Sequence, residues 1–167
     1  MPAPIGETAA NGKVLRTASR AICLVRLSGY SAAMSALSPF MATVHVALGG
    51  AIGSVLRYQT GRWMTQWLGP QAVATFPWTT LAVNAAGSLT MGLLAGWLMR
   101  HGESDQLRLF LGVGLLGGFT TFSAFSLELV LLIERGQYLF AALYLILSVA
   151  LGVTGLIFGL TMMRLFG

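Results

Sequence analysis

Between Arg135 and Arg164 the chain carries no charged side chain. That run is long enough, as a helix, to cross the hydrocarbon core of a bilayer, which is about 30 Å thick and takes about 20 apolar residues. In lipid the backbone must satisfy its own N–H and C=O groups, so only helices and closed barrels can span. Three further stretches qualify: Met41 to Leu68, whose uncharged part stops at Arg57, then Trp78 to Met99, then Leu107 to Ile133. With the last, Tyr138 to Met163, they make four. Composition agrees, at 56% hydrophobic and 9% charged residues with a mean hydropathy of +0.77, well outside the range of soluble domains. The chain reads as an all-α integral membrane protein with four transmembrane helices.

The same figures exclude other classes. A net charge of +5 and a pI near 10.2 fit a nucleic-acid binder only if the basic residues form a stripe, and here they are scattered singly. Cys23 is the one cysteine, so there is no disulfide framework. His45 and His101 lie far apart, and neither has a ligand-like partner. The connections GPQAVATFP, RHGESDQ and ERGQ are short, which makes successive helices antiparallel. Trp63, Trp67, Trp78 and Trp97 fall near expected helix ends, where an indole can keep its N–H among headgroups.

Residues 1–40 differ in kind from 41–167. They carry Lys13, Arg16, Arg20 and Arg26 against a single acid, Glu7, and hold no sustained apolar period. They read as a basic, disordered extension before the four-helix membrane region, with a targeting segment as the other reading. Ser38-Pro39 has the character of a helix start. Without the extension, Arg100, Arg108 and Arg164 on one side of the membrane balance Arg57, Arg62 and Arg135 on the other. The positive-inside rule then gives no preferred orientation, so two copies could insert oppositely and pair. The extension's basic residues would break that tie.

Glycines four apart recur in every span: Gly49 and Gly53, Gly92 and Gly96, Gly114 and Gly118, Gly155 and Gly159. Such pairs give helices flat faces for close packing. Polar residues constrain more, because hydrocarbon penalises them. Asn84 sits mid-span and requires a partner helix or a water-filled path. In GGFTTFSAF (117 to 125), two glycines and two threonines favour a local break, whose freed carbonyls need a cavity, an ion or another chain. Carbonyls meeting on a symmetry axis suit a cation, whereas the helix N-terminus beside a break suits an anion. Phe122 and Phe125 share a helix face. Their rings either pack as core or present electropositive edges to a small anion.

Three blocks, GGAIGSVLRY (49 to 58), WTTLAVNAAGSLTMG (78 to 92) and GGFTTFSAFSLE (117 to 128), resemble the signature blocks of the Fluc fluoride channel family, also called CrcB. The resemblance extends from Met41 to the carboxyl end. It implies an antiparallel, dual-topology homodimer in the plasma membrane, with the third helix broken mid-membrane, two fluoride pores and a structural sodium ion at the interface. Carried over by motif, Asn84, Phe122 and Phe125 would line the fluoride path. Thr79, Ser123, Glu128, Tyr144 and Ser148 would extend it as a polar track, Arg57 would draw anions to a vestibule, and carbonyls of Gly117 and Thr120 would hold sodium. Residue 124 is alanine where many members carry a hydroxyl. No enzymatic step is implied. The alternative reading is a small dual-topology, proton-coupled multidrug transporter using Glu128, which would need a deeper carboxylate and an aromatic cage for a cation.

Overall fold

The computed structural model describes residues 38–102 and 104–166. The expectations for the amino-terminal extension therefore fall, for residues 1–37, outside the described residues. Helix α1 runs Pro39–Leu68, and a short α2 runs Pro70–Thr75. Helix α3 spans Trp78–His101. A composite α4 consists of a turn at Asp105–Leu107, a π-helical run at Arg108–Leu116 and a closing turn at Gly117–Phe119. Helix α5 covers Phe122–Glu134 and α6 covers Tyr138–Phe166. Four helical stretches are long and apolar enough to cross a membrane: Pro39–Leu68, Trp78–His101, Asp105–Glu134 and Tyr138–Leu165. They overlay the four expected from sequence to within a few residues at each end.

Local chemistry sets the ends. Proline opens α1 and α2, where a missing N–H costs nothing. Gly69, Gly102 and Gly136 follow helices α1, α3 and α5 with positive φ of 82°, 89° and 72°, a conformation glycine adopts without a Cβ clash. After α5 the turn closes with Gly136 N–H donating to the Ile133 carbonyl and Gln137 N–H to that of Leu132, both at 2.9 Å. This is the paired bonding that satisfies the last carbonyls of a helix. One connection holds a helix of its own: the centre of GPQAVATFP winds into α2 between Gly69 and the extended Phe76.

Packing runs through the glycines. A Cβ on Gly49 would strike the Phe110 carbonyl oxygen and one on Gly53 that of Leu115, while one on Gly118 would lie 2.5 Å from the Gly50 oxygen. Helix α1 thus lies on α4, backbone to backbone. The α3–α6 contact repeats the device: Gly92 abuts the Leu156 carbonyl, and a Cβ on Gly159 would come within 2.5 Å of the Leu89 oxygen. In both seams residue numbers rise together along the two helices, so alternate spans are parallel and consecutive ones antiparallel. A small core of Phe76, Leu81, Phe125, Leu132, Ala141 and Tyr144 joins α3, α5 and α6.

Candidate functional site: an interrupted third span and its polar row

Helical hydrogen bonding lapses between α4 and α5. Thr120 (φ −79°, ψ 161°) and Thr121 (φ −153°, ψ 123°) are extended. The Thr120 N–H and hydroxyl both donate to the Leu116 carbonyl at 2.9 Å, closing α4. The Thr121 hydroxyl accepts from the Ala124 N–H at 3.2 Å, capping α5. Threonine here serves as an N-cap, which relieves the unpaired donors of a new helix.

Asn84 of α3 holds the extended segment from the side. Its Nδ2 donates to the Thr121 carbonyl at 2.9 Å, and its Oδ1 accepts from the Thr121 N–H at 2.8 Å. The primary amide thereby acts as one rung of a β-ladder, and one further N–H on Nδ2 remains to donate. Thr121's N–H, committed to Asn84, cannot close the usual i→i−4 bond to Gly117. A Cβ on Gly87, one turn along α3, would collide with Thr120 Cγ2, so glycine there lets α3 approach the extended segment. Arg57 of α1 reaches the same place from the other side, donating from Nη1 to the Thr120 carbonyl at 3.3 Å.

Along α5 the polar row continues away from the interruption. A cleft of ≈ 280 Å³ is lined by Asn84, Ser88, Thr121, Phe122, Phe125 and Ser148, among others. Phe122 is 79% exposed and Phe125 only 8%, and their ring centroids lie 5.7 Å apart with a 43° tilt. The Ser148 hydroxyl is buried without a hydrogen-bond partner. Phe125 packs on Tyr144, which is fully buried, at a centroid distance of 5.1 Å. The Tyr144 hydroxyl donates to Glu128 Oε2 at 2.7 Å, and Thr80 Oγ1 donates to Glu128 Oε1 at 2.8 Å. Glu128 is therefore held on both oxygens, which is what a carboxylate in an apolar setting requires. It lines a second cleft of ≈ 280 Å³ with Thr79, Thr80 and Arg135. Adjoining it, a wider recess of ≈ 570 Å³ is lined by Arg57, Arg62 and Thr79.

Of the residues singled out in the sequence, Asn84, Phe122, Phe125 and Ser148 share one cleft, and Thr79 and Glu128 share the next. Tyr144 links the two clefts. Ser123 sits at the first turn of α5, its hydroxyl 3.2 Å from that of Thr121. Gly117 begins the closing turn of α4 and Thr120 lies in the interruption itself, and Arg57 lines the basic recess while reaching the extended segment. Sequence reasoning missed Thr80. The hydroxyl that reaches Glu128 is its own, while Thr79 Oγ1 is buried without a partner. The missed signal was spacing, since Thr80 stands four residues before Asn84, on the same face of α3.

Four apolar spans, an interrupted third helix and a row of polar groups beside it define a multi-pass membrane protein. Residues 44–160 match the model of the CrcB-like protein, Camphor Resistance (CrcB) family, and the chain belongs to that family. Among its relatives is the "Fluoride-specific ion channel FluC" of Erythrobacter litoralis, 63% identical over 135 residues, covering 80% of this chain and 99% of the relative. Proteins of the same name from Novosphingobium aromaticivorans and Rhizobium meliloti are 61% and 48% identical, over 74% and 71% of this chain and 96% and 93% of their own lengths.

Proposed function

We propose that the chain forms a fluoride-selective passive channel in the plasma membrane, working as an antiparallel homodimer with two pores. The observation that carries this reading is the cleft uniting the spare Asn84 amide donor, the unpartnered Ser148 hydroxyl and the Phe122–Phe125 pair. Such a site offers hydrogen-bond donors and positive ring edges to a small dehydrated anion, and the names of the relatives point the same way. A membrane potential acts on each charge with about 2.3 kcal/mol per 100 mV, enough to expel fluoride that entered an acidified cell as neutral hydrogen fluoride and dissociated inside.

The extended segment also suits a structural sodium ion. Carbonyl oxygens are hard donors, and Gly117 has lost its ordinary helical N–H partner to Asn84. Gly117 and the neighbouring Phe122 are exposed on the single chain, which supports a second copy bringing its own carbonyls. Sodium would add positive charge to balance those oxygens at the interface. Arg57 already donates to Thr120, so guanidinium and sodium would share that oxygen's two lone pairs. The proton-coupled transporter is not favoured, because both Glu128 oxygens are engaged.

Fluoride and chloride efflux from liposomes carrying the purified protein tests the proposal. Wild type should pass fluoride and not chloride. Phe122→Ile and Phe125→Ile should each cut fluoride flux at least tenfold while leaving dimers intact, since isoleucine keeps bulk but offers no positive edge. Equal passage of both anions, or wild-type flux in both variants, would refute the ring-lined path.

A further inference from the structure

Beyond the polar row lies a cation that the reading above leaves unused. Arg135 follows the last turn of α5 and lines the cleft of Glu128, Thr79 and Thr80, where it is the one basic side chain beside one acidic one. We propose that Arg135 is the counter-charge of the permeation path: it gathers fluoride at the mouth of the Glu128 cleft and offsets the repulsion of that carboxylate. The proposal rests on the fluoride-channel reading and adds a specificity-determining residue to it.

Three observations carry it. First, Glu128 cannot swing out to neutralise Arg135, because Tyr144 and Thr80 hold its two oxygens at 2.7 and 2.8 Å. Seven residues of helix separate the two positions, about 10 Å of rise, and among the described residues the one ion pair is Arg108–Asp105. Second, the guanidinium is anchored by a neutral acceptor, with Arg135 Nη1 donating to the Ala74 carbonyl of α2 at 3.3 Å. That bond fixes the group's place at the lip while leaving its full charge to act on the cleft. The backbone beneath it is equally set, by the Arg135 N–H bond to Leu131 at 3.1 Å and the left-handed turn at Gly136. Third, the cleft adjoins the recess lined by Arg57 and Arg62, the two sharing Val73 and Thr79 in their walls. An anion drawn into that basic recess has Arg135 next along the way to Glu128. A carboxylate standing alone there would turn it back, and clefts with low-dielectric walls focus the field of whichever charge lines them. Helix α2 takes a role in this account as the element whose carbonyl positions Arg135.

The test is initial fluoride efflux from liposomes carrying the full chain, as wild type, R135Q and R135K, with ionic strength set by an impermeant salt. At about 10 mM, where the screening length is about 30 Å, R135Q should pass fluoride roughly three- to tenfold more slowly than wild type. Near 1 M the screening length falls to about 3 Å and the deficit should shrink towards none. R135K keeps the charge and should stay within about twofold of wild type at both strengths. R135M, a second neutral side chain of similar length, should repeat the R135Q result and stands in for it if glutamine prevents assembly. Wild-type rates in the neutral variants at low salt would overturn the proposal. So would equal losses in R135K and R135Q at every ionic strength, which would make Arg135 a mere tether for α2. A wild-type protein that passes no fluoride at all would instead remove the channel reading, and this proposal with it.

Discussion

Where α1 lies on α4 and α3 on α6, glycine deletes the side chain and each helix keeps its own hydrogen bonds. At Thr120–Thr121 the helix surrenders those bonds and takes replacements from side chains of two other spans, Asn84 and Arg57. The seams gain dispersion contacts and close approach. The interruption gains polar groups that can be addressed from outside the helix, and it persists because Asn84 and Arg57 take up the Thr121 backbone groups and the Thr120 carbonyl. The seams also explain how the interruption is tolerated. Two rigid helix pairs hold α3 and α4 in place, so Asn84 arrives at Thr121 without having to be ordered locally.

The sharpest way to break this comparison is to refill a seam. Gly92→Leu would drive a branched side chain into the Leu156 carbonyl, which belongs to a helix backbone and cannot yield as a flexible side chain could. Overpacking in a well-packed core costs about 1–3 kcal/mol even where side chains can shift. Here the loss should exceed about 3 kcal/mol, and the purified protein should fail to elute as a single species in mild detergent. Gly50→Ala is the control, because a Cβ there finds its nearest neighbour at 3.9 Å; it should elute as wild type. Equal behaviour of the two variants would mean that the seams are not closed backbone to backbone.

A more local effect is expected at the interruption. Asn84→Ala strands the N–H and the carbonyl of Thr121, each worth about 1–3 kcal/mol when left unpaired. The helices themselves should survive, since the seams do not involve Asn84. The expected outcome is a lowered melting temperature with unchanged helical circular dichroism, and fluoride flux reduced at least tenfold per folded protein. Asn84→Asp would set a second acceptor against the Thr121 carbonyl where the amide donated and bury a charge there, and should be no more stable than Asn84→Ala. Full stability of Asn84→Ala would show that water replaces the amide, and that the contrast between dry seams and side-chain clasps is overstated.

How much of this was legible beforehand follows the range of the interactions. The four spans were, because a charge-free run of helix length has few other fates. So were the glycine faces, whose spacing is local, although which face meets which was not. That Asn84 needs a partner could be read from its place in an apolar span; that the partner is a backbone pair at residue 121 could not, since nothing in either segment encodes the register between them. Arg57 read as a vestibule residue, yet its reach to Thr120 crosses 63 positions of sequence. Helix α2 escaped notice because Gly69-Pro70 and Phe76-Pro77 bracket five residues with no apolar period. Thr79 and Thr80 look alike on the page, and only the position of α3 against α5 separates them.

That pair supplies the finest test of the comparison, because valine matches threonine in shape and removes only the hydroxyl. Thr80 Oγ1 donates to Glu128 at 2.8 Å, and a hydrogen bond to a charged group is worth about 1.5–3 kcal/mol. Tyr144 would still hold the other carboxylate oxygen, so Thr80→Val should cost about 1.5 kcal/mol, the low end of that range. Thr79 Oγ1 is buried and unpartnered, so Thr79→Val removes a desolvated hydroxyl and should leave stability unchanged or slightly raised. Melting temperatures in one detergent measure the difference, and flux adds a second axis. If Thr79 faces the permeating anion from the wall shared by the two adjoining clefts, Thr79→Val should slow fluoride efflux a few-fold at unaltered stability, a separation that a packing role would not produce. A Thr79→Val protein that melts below Thr80→Val would mean that Thr79, not Thr80, carries the bond to the carboxylate, and the register of α3 against α5 would have to shift by one residue.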